Sequence, residues 1–148
     1  MALLVQLDMS PLHGQVAIVD ATWQDYPQWE TGQEWVAYRA PSLVHPDRPP
    51  YPGVAVATQS DIGATGPQSV CVEVWSDYEP KGLRWVHETV LYLGNHGVDV
   101  GNFEVGESAG LTLARGEYPL QVWVDADTPE QVSRVVFVLG PPRQASVP

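Results

Sequence analysis

Apolar and polar residues alternate with a period of two along much of this chain. The clearest example is the stretch LTLARGEYPLQVWVD at 111–125. The alternation breaks only at Arg115-Gly116, which predicts two antiparallel strands joined by a short turn. Gly116 would be the corner, since glycine adopts positive φ without a Cβ penalty. Pro119 cannot donate to a strand ladder and should lie at an edge, a bulge or a strand start.

The same period predicts further short strands. Segment 16–19 is apolar at successive positions, and segment 132–139 contains a double-apolar run, which predicts strands buried on both faces. Glu73 alternates with valines and should face water, Trp85 and His87 should share a face, and Gly101 should form a bulge. Besides the hairpin, the predicted strands lie at 2–8, 13–20, 54–58, 70–75, 84–93, 98–105 and 132–139, with a brief one at 35–38.

About eight or nine strands without a convincing helix predict an all-β fold. An antiparallel β-sandwich is the architecture that buries one face of each alternating strand. A closed β-barrel is the alternative. The 13 glycines and 14 prolines are too frequent for a helical bundle. We expect one domain over 1–140 and a flexible tail over 141–148, with the proline-rich segment 41–52 draped over a sheet.

Charge narrows the classes of function. Acidic residues number 18 against 7 basic ones, giving a net charge of −11. This balance disfavours direct binding of nucleic acid and suits either solubility or a basic protein partner. Between 99 and 130 the only basic residue is Arg115. We therefore predict any docking face among the acids of that region, namely Asp99, Glu104, Glu107, Glu117, Asp125, Asp127 and Glu130.

Cysteine content and the apolar runs suggest a compartment. Cys71 is the single cysteine and cannot form an intramolecular disulfide, so a reducing cytoplasm is the expectation. The first ten residues lack the basic region of a signal peptide. No apolar run approaches the roughly 18–20 residues that cross a bilayer. A cytoplasmic protein without membrane association is expected.

The search for catalytic motifs yields no catalytic residue, metal site or cofactor. The four histidines do not stand at metal-ligand spacings, and His45-Pro46-Asp47 would need help from distant residues. No nucleophile elbow occurs. The carboxylate pairs Asp77/Glu79 and Asp125/Asp127 fit solvated turn caps better than acid-base or calcium sites. An enzyme with a metal site built from separated His and Asp residues is the least supported class.

Six tryptophans give a second class of function. Trp23, Trp29 and Trp35 lie in the loosely patterned region 21–52. Exposed tryptophans on a β-sandwich can stack on sugar rings, and they also favour protein interfaces. The alternative role for the three is to roof the core. A small-ligand or carbohydrate-binding sandwich therefore remains an alternative to a protein-binding one.

Two patches resemble a known family. They are LTLARGEYPL at 111–120 followed by VWV at 122–124, and Ser10-x-x-His13-x-Gln15 before an alternating strand. Together they resemble the competence protein J family of nuclease inhibitors. The resemblance implies a non-enzymatic binding protein with a basic nuclease as partner. Nuclease clefts are basic because they hold phosphates, and an inhibitor can block them by placing carboxylates there.

Overall fold

The computed structural model describes residues 2–9, 14–21, 29–31, 35–39, 51–58, 69–102 and 107–144. These residues form β-strands and turns, with a 3₁₀ turn at Pro129–Gln131 and no α-helix among them. The strands are β1 (Ala2–Met9), β2 (Gln15–Asp20), β3 (Trp29–Thr31), β4 (Val36–Arg39), β5 (Gly53–Ala57), β6 (Val70–Ser76), β7 (Arg84–Leu93), β8 (Val98–Asn102), β9 (Glu107–Leu111), β10 (Gly116–Val124) and β11 (Arg134–Leu139).

The strands form two sheets. Sheet A has the order β1-β6-β11-β10-β7, and sheet B has the order β3-β4-β5-β2-β8-β9. All pairs are antiparallel except β6 with β11. In the described part of the chain no strand belongs to both sheets. The predicted β-sandwich is confirmed, and the barrel alternative is wrong.

The core lies between the inward faces of the two sheets and is built mainly of valine. Valine suits this position because its branched Cβ packs well on a pleated surface. Fully burying each such side chain contributes about 1.5–3 kcal/mol. Sheet B contributes Val16, Ile18, Val54, Val56, Val98 and Val100, and sheet A contributes Val72, Val74, Leu91, Leu120, Val122, Val135 and Phe137.

Strands β2 and β11 are buried on both faces, as their apolar runs predict. β2 lies between β5 and β8, and β11 lies between β6 and β10. On the outward face of sheet B, Ala17 and Val19 form a small buried cluster with Ala55. On the outward face of sheet A, Val136 and Val138 are buried as well. Each strand is therefore central in its sheet.

The predicted hairpin at 111–124 is wrong. Leu111 ends β9, which pairs with β8 in sheet B, whereas β10 pairs with β7 and β11 in sheet A. Residues 112–115 carry the chain from one sheet to the other. Leu111 and Leu113 both pack against the core. Alternation identified the buried side chains correctly but not the partner strand, because the period of two carries no information about pairing.

Gly116 is not a corner residue but lies inside β10 without a positive φ. A Cβ built on it would lie 2.8 Å from the carbonyl oxygen of Arg143. The backbones of Glu117 and Arg143 bond to each other at 3.0 and 2.9 Å, close beside this glycine. Glycine is therefore needed here for a close approach of two backbones. The segment predicted as a tail is attached to sheet A at Arg143, and residues 145–148 lie outside the described part.

Pro119 lies inside β10, opposite Val90 of β7, in a strand that pairs on both sides, whereas an edge, a bulge or a strand start was predicted. Its carbonyl accepts a hydrogen bond from the amide of Gly140 at 2.8 Å. The ring nitrogen faces the same side of the strand as that carbonyl, beyond the end of β11 at Leu139. Consequently no ladder bond is lost.

Gly101 was predicted to form a bulge, and this is wrong. The β8–β9 register runs without a shift from Val98, opposite Leu111, to Asn102, opposite Glu107. Gly101 has a φ of +153°, and a Cβ there would overlap the carbonyl oxygen of Glu107. The glycine serves a close approach between strands within a regular ladder.

The predicted shared face of Trp85 and His87 is also wrong. His87 is opposite Val122, but Trp85 is opposite Trp123, so Val86 is an extra residue in β7. This bulge reverses the alternation. His87 is 8% exposed, whereas Trp85 is 50% exposed on the outward face. The predicted cover at 41–52 lies outside the described residues except for Tyr51, which bridges to Leu91, and Pro52.

Candidate binding site

The outward face of sheet A gathers residues from all five of its strands. The registers align one row across the sheet as Leu3, Trp75, Val138, Gln121 and Glu88. The neighbouring row is Gln6, Glu73, Val136, Trp123 and Trp85. Three tryptophans thus lie on one face, and none of them belongs to the trio predicted to stack on a ligand.

Glu73 anchors this face. It was expected to face water, but it is 5% exposed. Arg134 donates to both of its carboxylate oxygens, from Nε at 2.5 Å and from the terminal guanidinium nitrogen at 3.2 Å. The indole Nε1 of Trp75 donates to the same carboxylate at 2.8 Å. Burial alone would raise the pKa of Glu73, but the hydrogen bonds from Arg134 and Trp75 outweigh it and hold the pKa below its ordinary value.

The anchored Trp75 positions the turn that follows β6. Its ring stacks on Tyr78 with centroids 4.3 Å apart. The amide of Asp77 donates to the carbonyl of Leu139 at 3.3 Å, which ties the same turn to the end of β11. Asp77 itself has a φ of 50°, a left-handed conformation that aspartate tolerates better than most residues. The turn 77–79 is therefore held against sheet A.

A groove of about 400 Å³ lies between this turn and the outward face of sheet A. Trp123 and Gln121 line its β10 side, and the Trp123 indole donates to the Gln121 side-chain oxygen at 3.2 Å. The residues that decide its chemistry are Asp77, Tyr78, Glu79, Glu88, Gln121 and Trp123. The groove therefore combines two aromatic rings with three carboxylates.

The described lining of the groove is acidic. Among the residues that the structure describes, no lysine, arginine or histidine lines it. Asp77, Glu79 and Glu88 are exposed, and none of the three makes an ion pair or a side-chain hydrogen bond with another described residue. Three like charges around aromatic rings favour a cation as the occupant.

The acids predicted as a docking face are scattered. Glu117 and Asp125 stand at opposite ends of β10, eight residues and about 27 Å apart. Asp99 lies in β8 and Glu107 in β9, both in the other sheet. Glu104 lies outside the described residues. The described members of this set do not converge on one site.

Asp125 has a structural role. Its carboxylate accepts hydrogen bonds from the Ser133 amide at 2.9 Å, the Ser133 hydroxyl at 2.6 Å and the Arg134 amide at 3.0 Å. Burial would raise the pKa of Asp125, but these bonds prevail and keep it below its ordinary value. Asp125 thus caps the connection between β10 and β11, as expected of a turn carboxylate. Asp127 makes an exposed ion pair with Arg84 at 3.4 Å, and Glu130 is exposed.

Asp99 has the opposite electrostatic environment. Burial raises its pKa, and the neighbouring carboxylate of Asp20 raises it further. Asp20 is 1% exposed and accepts a hydrogen bond from the Gly94 amide at 3.1 Å. Glu117, another predicted docking acid, is only 7% exposed. Neither Asp99 nor Glu117 offers a well-exposed carboxylate to a partner.

The three tryptophans predicted to stack on a ligand do not lie side by side among the described residues. Trp23 lies outside the described residues, and Trp29 belongs to β3 at the edge of sheet B. Trp35 packs partly against the core, and the guanidinium of Arg84 lies 5.9 Å from its ring centroid. Trp35 therefore roofs the core, which was the alternative role considered for it.

Two titratable groups lie outside the groove. Burial raises the pKa of Cys71, whose thiol contacts Gln6 at 3.5 Å and Glu73 at 3.9 Å. Burial lowers the pKa of His87. Among the residues described, no group of three or more His, Cys, Asp or Glu could hold a metal ion. Within the same residues, no helix is long and apolar enough to cross a bilayer.

A comparison with solved structures adds one finding. The crystal structure of ComJ, inhibitor of the DNA-degrading activity of NucA from Bacillus subtilis, matches with a TM-score of 0.56. The match covers 94% of this chain and 96% of ComJ. The two chains share a fold. Sequence identity between this chain and ComJ is 7%, so the match shows a shared fold and does not show that the two proteins belong to one family. No protein-family model matches the chain, and no curated protein matches its sequence.

The groove could be predicted only in pieces. Asp77 and Glu79 form one of the carboxylate pairs in the sequence, and the period of two sets Gln121 and Trp123 on the face of β10 opposite to Leu120 and Val122. Glu88 comes from β7, and only the register that sets it opposite Gln121 brings it to the groove. The acidic residues that cluster along the sequence lie at 99–130 instead. Clustering along the sequence does not show which residues are neighbours on adjacent strands.

Proposed function

We propose that this chain is an acidic protein-binding domain that inhibits a nuclease by binding over its basic cleft. The observation that carries the proposal is the groove, whose three exposed carboxylates lack a partner among the described residues. The net charge of −11 agrees with a basic partner. The shared fold with ComJ, an inhibitor of the DNA-degrading activity of NucA, supports a nuclease as that partner.

The mechanism follows from charge complementarity. A nuclease cleft presents lysine and arginine to the phosphates of DNA, and carboxylates on a rigid surface compete for the same groups. The groove walls are fixed before binding by the stacked Trp75 and Tyr78 and by the bond between Trp123 and Gln121. A preorganised surface loses little entropy on association. The chain acts in this proposal by binding and not by catalysis, in the cytoplasm.

A second function, sugar binding, is favoured by one observation. Trp85 is 50% exposed and lies opposite Trp123 on the outward face of sheet A. Two such rings could stack on a saccharide. Salt separates the two functions, because screening weakens a charged interface but barely affects ring stacking.

The first test is capture from an extract of the native cell. The full chain is immobilised, loaded at low salt and eluted with a salt gradient, and the eluate is identified by mass spectrometry. The proposal expects a basic protein that degrades plasmid DNA and loses this activity when an equal amount of the chain is added back. An eluate without nuclease activity would overturn it, and salt-insensitive retention on an oligosaccharide matrix would favour the sugar-binding function.

A further inference from the structure

We infer that the groove on sheet A is a receptor for an arginine side chain presented by the basic partner; this inference rests on the proposed function. The chemistry of the residues that line the groove indicates its occupant. Aromatic rings and free carboxylates around one cavity match a cation that is both planar and rich in hydrogen-bond donors. A guanidinium has both properties.

The carboxylates approach the groove from two directions. Asp77 and Glu79 belong to the turn after β6, whereas Glu88 comes from β7 on the far side of β10. A guanidinium carries five donors in a fixed fork and can address carboxylates on different walls at once. An ammonium is a compact, strongly hydrated charge and gains less from the aromatic rings.

The size of the groove agrees with one long side chain. Its volume of about 400 Å³ lies near the lower end of small-ligand pockets. A side chain can therefore enter the groove while the backbone of the partner stays outside it. The partner then needs only a protruding arginine at its surface.

Two arginines of this chain already make the two kinds of contact that are proposed for the groove, one with a carboxylate and one with an aromatic ring. Arg134 binds Glu73 through two nitrogens, and Arg84 lies over the ring of Trp35. Each of these arginines is engaged within its own chain. The groove offers the same two kinds of contact, with Trp123 and Tyr78 as the rings, and no described basic side chain occupies it.

The test compares two peptides of equal charge on the full chain. A capped glycine-arginine-glycine tripeptide and its lysine counterpart are titrated while the tryptophan indole and backbone amide signals are followed by NMR. We expect the arginine peptide to shift the Trp123 indole and the Glu88 and Gln121 amides, and to bind about fivefold more tightly than the lysine peptide. Equal affinities, or shifts confined to other parts of the chain, would overturn the inference.

Variants define the site. The double variant Glu79→Gln, Glu88→Gln should weaken arginine binding about tenfold, and Trp123→Leu should weaken it similarly. Matched controls are the double variant Asp127→Asn, Glu130→Gln, which removes the same charge outside the groove lining, and Trp85→Leu, which changes the same face outside it. Unchanged binding in the groove variants, or equal weakening in their controls, would contradict the site. Because Glu79 and Glu88 are exposed, their replacement tests it without risk to folding.

The two proposals can fail separately. If the Glu79→Gln, Glu88→Gln variant captures and inhibits the nuclease with undiminished affinity, the assignment of the arginine site is wrong and the proposed function is retained. If arginine binds selectively in the groove but the chain captures no nuclease, the site stands and the proposed function falls. If concentration-dependent dimerisation is abolished by the groove variant, the occupant is an arginine of a second copy, which overturns the assignment to another protein.

Discussion

Arg134 and Glu73 form a two-point ion pair on the outward face of sheet A, with hydrogen bonds of 2.5 and 3.2 Å. The Glu73 side chain is 7% exposed, whereas that of Arg134 is 37% exposed. The carboxylate is therefore the buried partner, and the guanidinium covers it. Because the same carboxylate accepts the Trp75 indole, this pair supports the ring that stacks on the groove residue Tyr78.

Replacing Glu73 should destabilise the fold. Glu73→Gln keeps the shape but removes the charge that pairs with Arg134. Losing one partner of a fully buried pair costs about 3–5 kcal/mol. Since Arg134 can be solvated again, we expect about 1–2 kcal/mol here. Urea unfolding measures the loss, and Glu130→Gln, at an exposed position, should stay within about 0.5 kcal/mol of the parent.

His87 should make stability depend on pH in the mildly acidic range. Burial lowers its pKa below the ordinary 6.5, and the nearby carboxylate of Glu88 opposes this only partly. The unfolded chain therefore takes up a proton at a higher pH than the folded one. Stability is lost as pH falls below 6.5, by at most about 1.4 kcal/mol per pH unit, until the folded pKa is passed.

Unfolding free energies measured between about pH 7 and pH 5 check this expectation. His87→Gln should remove the slope in that range. His96→Gln, in the exposed turn between β7 and β8, should retain it. A slope unchanged by His87→Gln would contradict the role given to this histidine.

Asp99 and Asp125 should respond oppositely to the same change. The raised pKa of Asp99 means that the fold disfavours its charge, so Asp99→Asn should stabilise the protein by about 0.5 kcal/mol at neutral pH. The lowered pKa of Asp125 means that the fold favours its charge. Asp125→Asn should therefore cost about 1 kcal/mol, because the bonds to Ser133 and Arg134 weaken.

The pH dependence of these two variants gives a second readout. The contribution of Asp125 is present above its ordinary pKa of 3.8 and is lost as pH falls through the folded value. The penalty at Asp99 is relieved as pH falls through its raised folded pKa. Both variants should therefore approach the parent in stability on acidification. Effects of the same sign at neutral pH would contradict the two assignments.

A methyl group at Gly116 should detach the C-terminal segment. In Gly116→Ala the new Cβ would lie 2.8 Å from the Arg143 oxygen and 3.2 Å from the Pro142 Cβ. We expect a loss of about 1–2 kcal/mol and faster hydrogen exchange at the Arg143 and Glu117 amides. Truncation after Gly140 supplies the control, since Gly116→Ala should then cost much less. Gly116→Ala without faster exchange at Arg143 would show that the contact is not needed.

The groove should dominate the salt-sensitive affinity for a basic nuclease. The double variant Glu79→Gln, Glu88→Gln should lose about tenfold in affinity, or about 1.4 kcal/mol. The control Asp127→Asn, Glu130→Gln removes the same charge and should lose much less, because neither residue lines the groove and Asp127 is already paired with Arg84. Titrations at low and physiological ionic strength measure both effects. Equal losses would instead point to overall charge, and binding that survives neutralisation of all seven predicted acids would exclude them as the docking face.

The sequence by itself determined many of the apolar side chains that form the core, although it misplaced Glu73 and Trp85. Alternation of apolar and polar residues follows directly from strand geometry, so most strands and the inward face of β10 could be predicted, whereas β3 and β9 were not. Apolar runs identified β2 and β11 as strands that are buried on both faces. These features are local, because each depends on one strand and the side chains along it.

Only the tertiary structure decided which strands pair and what their outward faces assemble. The period-two pattern of a strand is the same whichever strand it pairs with. The segment 112–115, which carries the chain from sheet B to sheet A, therefore resembled a hairpin turn. The extra residue Val86 moved Trp85 to the opposite face, and the approach of Arg143 explained Gly116. The groove joins Asp77, Glu88 and Trp123 from three separate parts of the chain. Their proximity follows from strand register and sheet order, which depend on long-range packing that no local pattern encodes.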